Sequence, residues 1–224
     1  MRITKKKGML LFTIAFSCAV MFGATVPPST IHAESSSAFK DVSSKHWAKS
    51  AIDWAINKNM VNGYPNGTFK PENKVTEAEF LTMLLRLYDS KIEGTTKTHW
   101  ADAYYDYASK YKYTLPGHSN VKLRENIINR TQVAELVSST EGVNLKGDDA
   151  IKYLLVFHLA KGKDRDVSIA SYRGADSLTR AEAVQFVRNI SEFGLGTLVE
   201  KQAEPTSPSE IPEINYELTK GSED

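Results

Sequence analysis

The stretch Asn62–Phe80, NGYPNGTFKPENKVTEAEF, joins a turn to the start of a helix. Its Tyr-Pro-Asn-Gly segment (64–67) has Pro at the second and Gly at the fourth position, which predicts a β-turn. Thr76 is followed three residues later by Glu79, which predicts a capping box. In such a box each side chain binds the backbone N–H of the other residue. The stretch therefore predicts that a helix begins directly after Thr76.

The same pattern recurs twice, so the chain contains three related units. The pair His46-Trp47 returns 53 residues later as His99-Trp100, and VTEAEFLTML falls in that register on INRTQVAELV. A third copy ends in LTRAEAVQFV, 103 residues after the first. Its beginning, AIKYL, matches AIDWA at a shift of 99, so about four residues are inserted and HW is missing. The predicted capping boxes are Thr76–Glu79, Asn129–Gln132 and Thr179–Glu182.

Each unit has the pattern of two helices joined by a connector. In the first unit, apolar residues at helical spacing from Ala51 to Ile56 predict a helix that ends near Asn62-Gly63. A single unit of about 50 residues buries little apolar area, whereas three units stacked around a common axis bury a shared core. The second helices agree in what they would bury: Phe80, Val133 and Ala183; Met83, Leu136 and Phe186; Leu84, Val137 and Val187.

The two ends of the chain differ from this repeating region. Residues 1–33 combine a basic start with an apolar run, Met9–Val20, and Ala33 suits signal-peptidase cleavage, so we expect a signal peptide. An uncleaved N-terminal anchor is the alternative. Cys18 lies inside this segment, so the mature chain would contain no cysteine and no disulfide. Residues 200–224 hold seven acidic and two basic residues, and their composition predicts a disordered acidic tail.

Charge and motifs exclude two function classes. The predicted mature chain has a net charge near −3, which is not the basic surface of a nucleic-acid-binding protein. No metalloprotease, nucleophile-elbow, phosphate-loop or paired-cysteine motif is present, so we predict that the protein is not an enzyme and needs no cofactor or metal. Two of the histidines, His46 and His99, belong to the repeated HW pair. Glu79 and Glu182 already have capping roles. A glycan hydrolase that uses a pair of carboxylates remains a remote alternative.

The repeated motifs resemble the surface-layer homology (SLH) repeat. The signature of that family runs F-x-D-V, HWA, G-Y-x-D-G-T-F and T-R-A-E, and the first unit matches it nearly end to end. The third unit keeps LTRAE, and the second keeps HWA and Arg130 but has lost the turn. The resemblance implies a mostly α fold, in which three helix–loop–helix SLH repeats form a pseudo-threefold assembly with a shared central helical bundle. The expected repeats are 39–92, 93–142 and 143–194.

The resemblance also implies a function and a location. Similar proteins bind secondary cell-wall polysaccharide, often acidic and pyruvylated, through grooves between repeats. They thereby attach proteins to the surface of Gram-positive bacteria without a covalent bond. We therefore expect a secreted cell-wall or S-layer protein that has no nucleic-acid partner and no membrane contact after signal removal. The alternative is a small accessory surface-layer protein whose acidic tail binds a protein partner.

The arginine of T-R-A-E is the family residue most closely tied to the acidic sugar. Arg130 and Arg180 stand at this position, in the first helical turn, where a cation is unfavourable by about 0.3–1 kcal/mol at low salt. An arginine beside free backbone N–H groups would form an anion site suited to a carboxylate. The first unit has Glu77 there, so we expect it to contribute little. The alternative is that both arginines are solvated or pair with a carboxylate of a neighbouring unit.

Aromatic side chains are candidates for the flat faces that sugars contact. Trp54 and Tyr107 occupy equivalent positions and are predicted groove residues. Asp53 and Asp106 precede them in register and could accept hydrogen bonds from sugar hydroxyls. Trp47 and Trp100, in contrast, are expected to be buried in the core.

Overall fold

The computed structural model describes residues 39–92, 98–164 and 166–214. The predicted signal peptide, residues 1–33, lies outside this part of the chain. The described residues form eight α-helices and two short 3-10 helices, Val121–Glu125 and Pro208–Glu210, which confirms the mostly α fold class. The α-helices are α1 Lys49–Asn57, α2 Glu77–Tyr88, α3 Asp102–Lys110, α4 Pro116–Ser119, α5 Arg130–Thr140, α6 Gly147–Val156, α7 Ile169–Tyr172 and α8 Arg180–Phe193.

The local signals of the opening stretch are present in the structure. The N–H of Gly67 donates to the carbonyl of Tyr64 at 2.9 Å, which closes the predicted β-turn. The second helices α2, α5 and α8 all begin with a capping box in which both reciprocal hydrogen bonds are made. The three predicted boxes are therefore confirmed, and with them the register between the units.

The first helices α1, α3 and α6 share one kind of C-terminal ending. Each is followed by a left-handed residue, with φ of 56° at Asn59, 60° at Lys112 and 58° at His158. The next residue donates its N–H to the carbonyl five residues earlier, a bond that closes a Schellman-type ending. The predicted end near Asn62-Gly63 is wrong, because α1 ends at Asn57. The sequence hides this stop, since none of the three left-handed residues is glycine.

A triangle of backbone hydrogen bonds joins the three units around their pseudo-threefold axis. Val75 donates to the carbonyl of Leu178 at 3.0 Å, Leu178 to Ile128 at 3.2 Å, and Ile128 to Val75 at 3.1 Å. These three residues are equivalent in the sequence register, and each is at most 1% exposed. Because each residue donates to one neighbour and accepts from the other, the ring closes only when all three units are in place.

Helix packing continues the same cyclic order. α2 packs against α3, α5 against α6, and α8 against α1, so each second helix rests on the first helix of the next unit. α2 and α8 also pack against each other. The apolar positions predicted for the second helices are buried, and they belong to one continuous core that runs through all three units.

The segment after α8 is packed rather than disordered up to residue 214. Backbone N–H groups of Val199, Lys201, Gln202 and Thr206 donate to carbonyls of the second and third units, each at 3.0 Å. Ile211 is 5% exposed and anchors the far end of this segment. The predicted disorder of 200–224 is therefore wrong for 200–214. This segment has little apolar surface to bury, but backbone hydrogen bonds and the buried side chain of Ile211 hold it against the units. Residues 215–224 lie outside the described residues.

None of the helices in the described ranges combines the length and the apolar character needed to cross a bilayer.

Candidate functional site

The helix N-termini that carry the T-R-A-E arginines do not offer free N–H groups. The backbone N–H of Arg130 donates to Asp176 at 2.9 Å, and that of Arg180 donates to Asn73 at 2.8 Å. Thr131 and Ala181 donate to the neighbouring unit in the same way, and the third N–H binds the cap side chain. The expected anion site made of free helix N–H groups is therefore wrong, because contacts between units already satisfy these donors.

The side chain of Arg130 crosses from the second unit into the third. Its Nε donates to the carbonyl of Tyr172 at 2.7 Å and its Nη2 to that of Lys161 at 3.2 Å. Its Nη1 lies 3.4 Å from Oε1 of Glu182, and the guanidinium centre lies 4.4 Å from the centre of the Tyr172 ring. These contacts use three of the five guanidinium N–H groups. Arg130 is only 3% exposed, so the expectation that this position is exposed is wrong.

Arg180 makes the equivalent crossing from the third unit into the first. Its Nε donates to the carbonyl of Phe69 at 3.0 Å and its Nη2 to that of Asn62 at 3.1 Å. Its Nη1 lies 4.0 Å from the capping carboxylate of Glu79, as Arg130 lies beside Glu182. Both arginines therefore join neighbouring units, and each pairs with a carboxylate of the unit it enters, as the alternative reading of the sequence had it.

The side chain of Glu77 extends from the first unit into the second in the equivalent way, but it carries a negative charge where the two arginines carry a positive one. Its Oε1 accepts from the hydroxyl of Tyr105 at 2.7 Å and from the backbone N–H of Gly117 at 2.8 Å, and the residue is 3% exposed. The cation at this junction comes from the second unit itself. Arg124 lies 3.9 Å from the centre of the Tyr105 ring and donates to Gly117 at 2.9 Å and to Asp102. Glu77 is therefore a structural acceptor, not merely a residue suited to the helix dipole.

The larger of the two clefts that contain a T-R-A-E arginine lies between the units at Arg130 and is here called the Arg130 cleft. Its volume is about 520 Å³. Trp47 of the first unit forms one wall, and its side chain is exposed, with 60% of the residue accessible. Three cations and one carboxylate line the cleft, so its charge favours an anion. The lining residues are Trp47, Arg130, Ala160, Lys161, Gly162, Lys163, Glu182, Gln185, Phe186 and Asn189.

A smaller cleft at Arg180 repeats this plan. Its volume is about 140 Å³, and Trp100 of the second unit stands where the larger cleft has Trp47. Arg86 occupies the position equivalent to Asn189 and binds the hydroxyl of Tyr104 at 2.8 Å, so a larger side chain lines this cleft. The Arg180 cleft therefore keeps the aromatic wall and the arginine but offers less room.

The prediction that Trp47 and Trp100 are core residues is wrong. Trp100 is 41% exposed, and both indoles line clefts built from the other two units. The histidines of the HW pairs have the local structural role instead. Nδ1 of His46 accepts from the N–H of Ala48, and Nδ1 of His99 from that of Ala101, each at 3.1 Å. In the two units that have an HW pair, its histidine thus stabilises the start of the first helix, α1 or α3, and its tryptophan faces outward.

The structure places the other predicted site residues outside the two arginine clefts. Asp53 and Trp54 lie on the outer face of α1, in a separate groove that shares Trp47 with the Arg130 cleft. Asp106 is exposed on α3, and the Tyr107 ring lies 5.5 Å from that of Tyr111. Sequence reasoning missed the loop lysines Lys161 and Lys163. The available signal was their position in the connector of the third unit, which is where that unit differs in length from the first.

Two carboxylates at these junctions, those of Glu182 and Asp102, are held in their ionised form. Burial opposes the charge of Glu182, but the Thr179 N–H and the cations Lys163 and Arg130 outweigh it and hold the pKa of Glu182 below its usual value. The backbone N–H groups of Thr98 and His99, together with Arg124, hold the pKa of Asp102 well below its usual range. Both groups are therefore acceptors at neutral pH.

Acid is expected to weaken the fold through Asp102. A lowered folded-state pKa means that its contribution is present above the unfolded pKa of about 3.9 and is lost as the pH falls through the folded value. Urea unfolding should therefore show Asp102→Asn less stable than the wild type at pH 7, with the gap closing toward pH 2. Asp106→Asn, an exposed change on the same helix, should leave the pH profile unchanged. A gap between wild type and Asp102→Asn that stays constant with pH would contradict this assignment.

Within the described ranges, no group of three His, Cys, Asp or Glu residues could hold a metal ion. The family model of the S-layer homology domain matches residues 38–81. The chain contains an SLH domain. This match covers the part of the first unit that runs through the turn and into α2. The second and third units share its capping boxes, its first-helix endings and its place around the axis.

The curated relatives of this chain have names that refer to the cell surface or the cell wall. The chain is 39% identical over 92 residues to the cellulosome-anchoring protein of Acetivibrio thermocellus, which is 39% of this chain and 21% of the relative. It is 28% identical over 173 residues to the middle cell wall protein of Brevibacillus brevis, which is 74% of this chain and 16% of the relative. A surface layer protein of Brevibacillus choshinensis is 25% identical over 175 residues, covering 74% and 15%. The chain thus spans about a fifth or less of these relatives.

Proposed function

We propose that the protein binds an acidic polysaccharide of the bacterial cell wall through the Arg130 cleft. This binding would hold the protein on the cell surface without a covalent bond. The observation that carries the proposal is the composition of one cleft, in which an exposed tryptophan faces three cations. The names of the relatives, which include an anchoring protein and a cell wall protein, agree with a surface location on a Gram-positive cell.

The chemistry of the cleft suits a sugar that carries a carboxylate, such as a pyruvate ketal. The indole of Trp47 offers a flat apolar face to a sugar ring, and Lys161 is an exposed cation at the rim. Lys163 adds a second cation, which pairs with Asp176 at 3.0 Å and with Glu182 at 3.3 Å. Arg130 lies deeper and has guanidinium N–H groups beyond the three already used. We expect a single carboxylate to bind between these donors, where each charge-assisted hydrogen bond would contribute about 1.5–3 kcal/mol.

We propose that this role is non-enzymatic. The carboxylate in the cleft, Glu182, caps α8 and pairs with Arg130 and Lys163, so it is committed to structure. The alternative of a protein partner for an acidic tail is weakened, because residues 200–214 pack along the second and third units. The Arg180 cleft is a second, smaller site of the same class.

Titration of purified wall polysaccharide into exposed variants tests the proposal without disturbing the fold. Trp47→Ala and Lys161→Gln should each weaken binding about tenfold or more, since 1.4 kcal/mol corresponds to a factor of ten. The matched controls are Phe193→Ala, an aromatic that is 54% exposed, and Lys112→Gln, which removes an exposed lysine paired with Glu200. Calorimetry should find both controls equal to the wild type. Equal affinity of all four variants would overturn the proposal.

A further inference from the structure

A second groove lies on the outer face of α1, directly beside the Arg130 cleft. Its volume is about 630 Å³, and Trp47 lines both hollows. Trp54 stands in the wall of the second groove and is half-buried against the core. The two hollows therefore share one exposed indole as a common wall, and two tryptophans line the outer groove.

The rest of this groove is polar and carries both donors and acceptors. Lys49 pairs with Asp53, and Arg188 donates to the hydroxyl of Ser50 at 2.8 Å. Asn57 adds an amide to the same wall. Flat apolar faces interrupted by hydroxyl, amide and carboxylate groups match a pyranose ring, which presents apolar C–H faces and a rim of hydroxyls.

The equivalent surface of the second unit differs from this groove. Arg188 of α8 corresponds in register to Leu85 of α2, which is fully buried. Trp54 corresponds to Tyr107, whose ring packs against that of Tyr111 with the ring centres 5.5 Å apart. The surface of α3 next to Trp100 therefore lacks the polar wall that Arg188 supplies, so the Arg180 cleft does not gain this extension.

We propose that the groove between Trp47 and Trp54 binds further sugar residues of the same polysaccharide chain whose acidic sugar enters the Arg130 cleft. The ligand is then an oligosaccharide several residues long rather than a single acidic sugar. This inference rests on the proposed function and goes beyond it, because it fixes the length of ligand that the protein distinguishes. Trp47 serves both subsites, whereas Trp54 and Arg188 serve only the outer one.

A comparison of two probes separates the subsites. The short probe is the methyl glycoside of a hexosamine with a pyruvate ketal, and the long probe is size-fractionated wall polysaccharide that carries the same group. We expect the wild type to bind the long probe at least about tenfold more tightly per site, a gain of 1.4 kcal/mol. Trp54→Ala and Arg188→Ala should lose that gain and keep the affinity for the short probe. Trp47→Ala should weaken both, and Phe193→Ala neither.

The outcomes distinguish this inference from the proposal on which it rests. Retained affinity for the short probe shows that a variant is folded, and Arg188→Ala guards against a packing defect at the half-buried Trp54. Equal affinity of the wild type for both probes, or variants that keep the full gain, would overturn the extension alone. Failure of the wild type to bind either probe would overturn the proposed function and the extension together.

Discussion

Arg130→Ala is expected to lower the free energy of unfolding by about 3–5 kcal/mol, the usual cost of removing one partner of a buried ion pair. The guanidinium joins the second unit to the third through two backbone carbonyls, Glu182 and the face of Tyr172. Its removal takes this donor away from the carbonyls of Tyr172 and Lys161 and leaves Glu182 with Lys163 alone as its cation. Chemical denaturation followed by far-ultraviolet circular dichroism measures the loss.

Two comparisons make this result specific. Arg188→Ala removes a partly exposed arginine that pairs with Glu192 on α8 and donates to Ser50, and it should cost no more than about 1 kcal/mol. Arg130→Lys keeps the charge but loses the planar fork, so its stability should lie between those of the wild type and Arg130→Ala. An Arg130→Ala protein as stable as Arg188→Ala would contradict the structural role. The role also explains why loss of binding in Arg130→Ala alone would not identify the ligand site.

Glu77→Arg is expected to destabilise the fold by about 3–5 kcal/mol, although it restores the arginine that the other two units carry. The new guanidinium would lie at a junction where Arg124 already stacks on Tyr105. It would also leave the Gly117 N–H and the Tyr105 hydroxyl without their acceptor. Thermal and urea unfolding should both show the loss.

Glu77→Gln is the matched control for this change. Its amide oxygen can still accept from Gly117 and Tyr105, so the cost should be about 1 kcal/mol, that of weakening one hydrogen-bonded group. If Glu77→Arg instead folds with wild-type stability and binds additional polysaccharide, the junction between the first and second units is an open ligand groove and our assignment is wrong.

Signals that are local in the sequence predicted much of the fold. The three capping boxes and the β-turn at Tyr64–Gly67 were readable, because each depends on residues within four positions of one another. The recurrence of these motifs then set the register between units. The register then correctly aligned Val75, Ile128 and Leu178, which meet at the axis. The predicted mostly α assembly of three units follows from these features.

Features that depend on the neighbouring unit were not readable. Arg130 and Arg180 stand at exposed positions of an isolated helix, yet each is buried because another unit covers it. Trp47 and Trp100 appeared to be core residues of their own units, but they end in clefts formed by the other two. No spacing within one unit encodes these contacts.

The second unit shows how a lost motif is replaced. It has no Tyr-Pro-Asn-Gly turn, and α4 with the following 3-10 helix takes its place. Arg124 in that 3-10 helix supplies the cation that Glu77 cannot. The exchange is spread over two units and 47 residues of sequence, so alignment of the repeats alone could not reveal it.

The most direct measurement of the central claim is co-sedimentation of the protein with purified cell walls, before and after chemical removal of their polysaccharide. We predict that the protein pellets with intact walls, that it stays in solution with stripped walls, and that free polysaccharide competes it off. Trp47→Ala should pellet poorly with intact walls, while Phe193→Ala should behave as the wild type. Equal pelleting with intact and stripped walls would contradict polysaccharide anchoring.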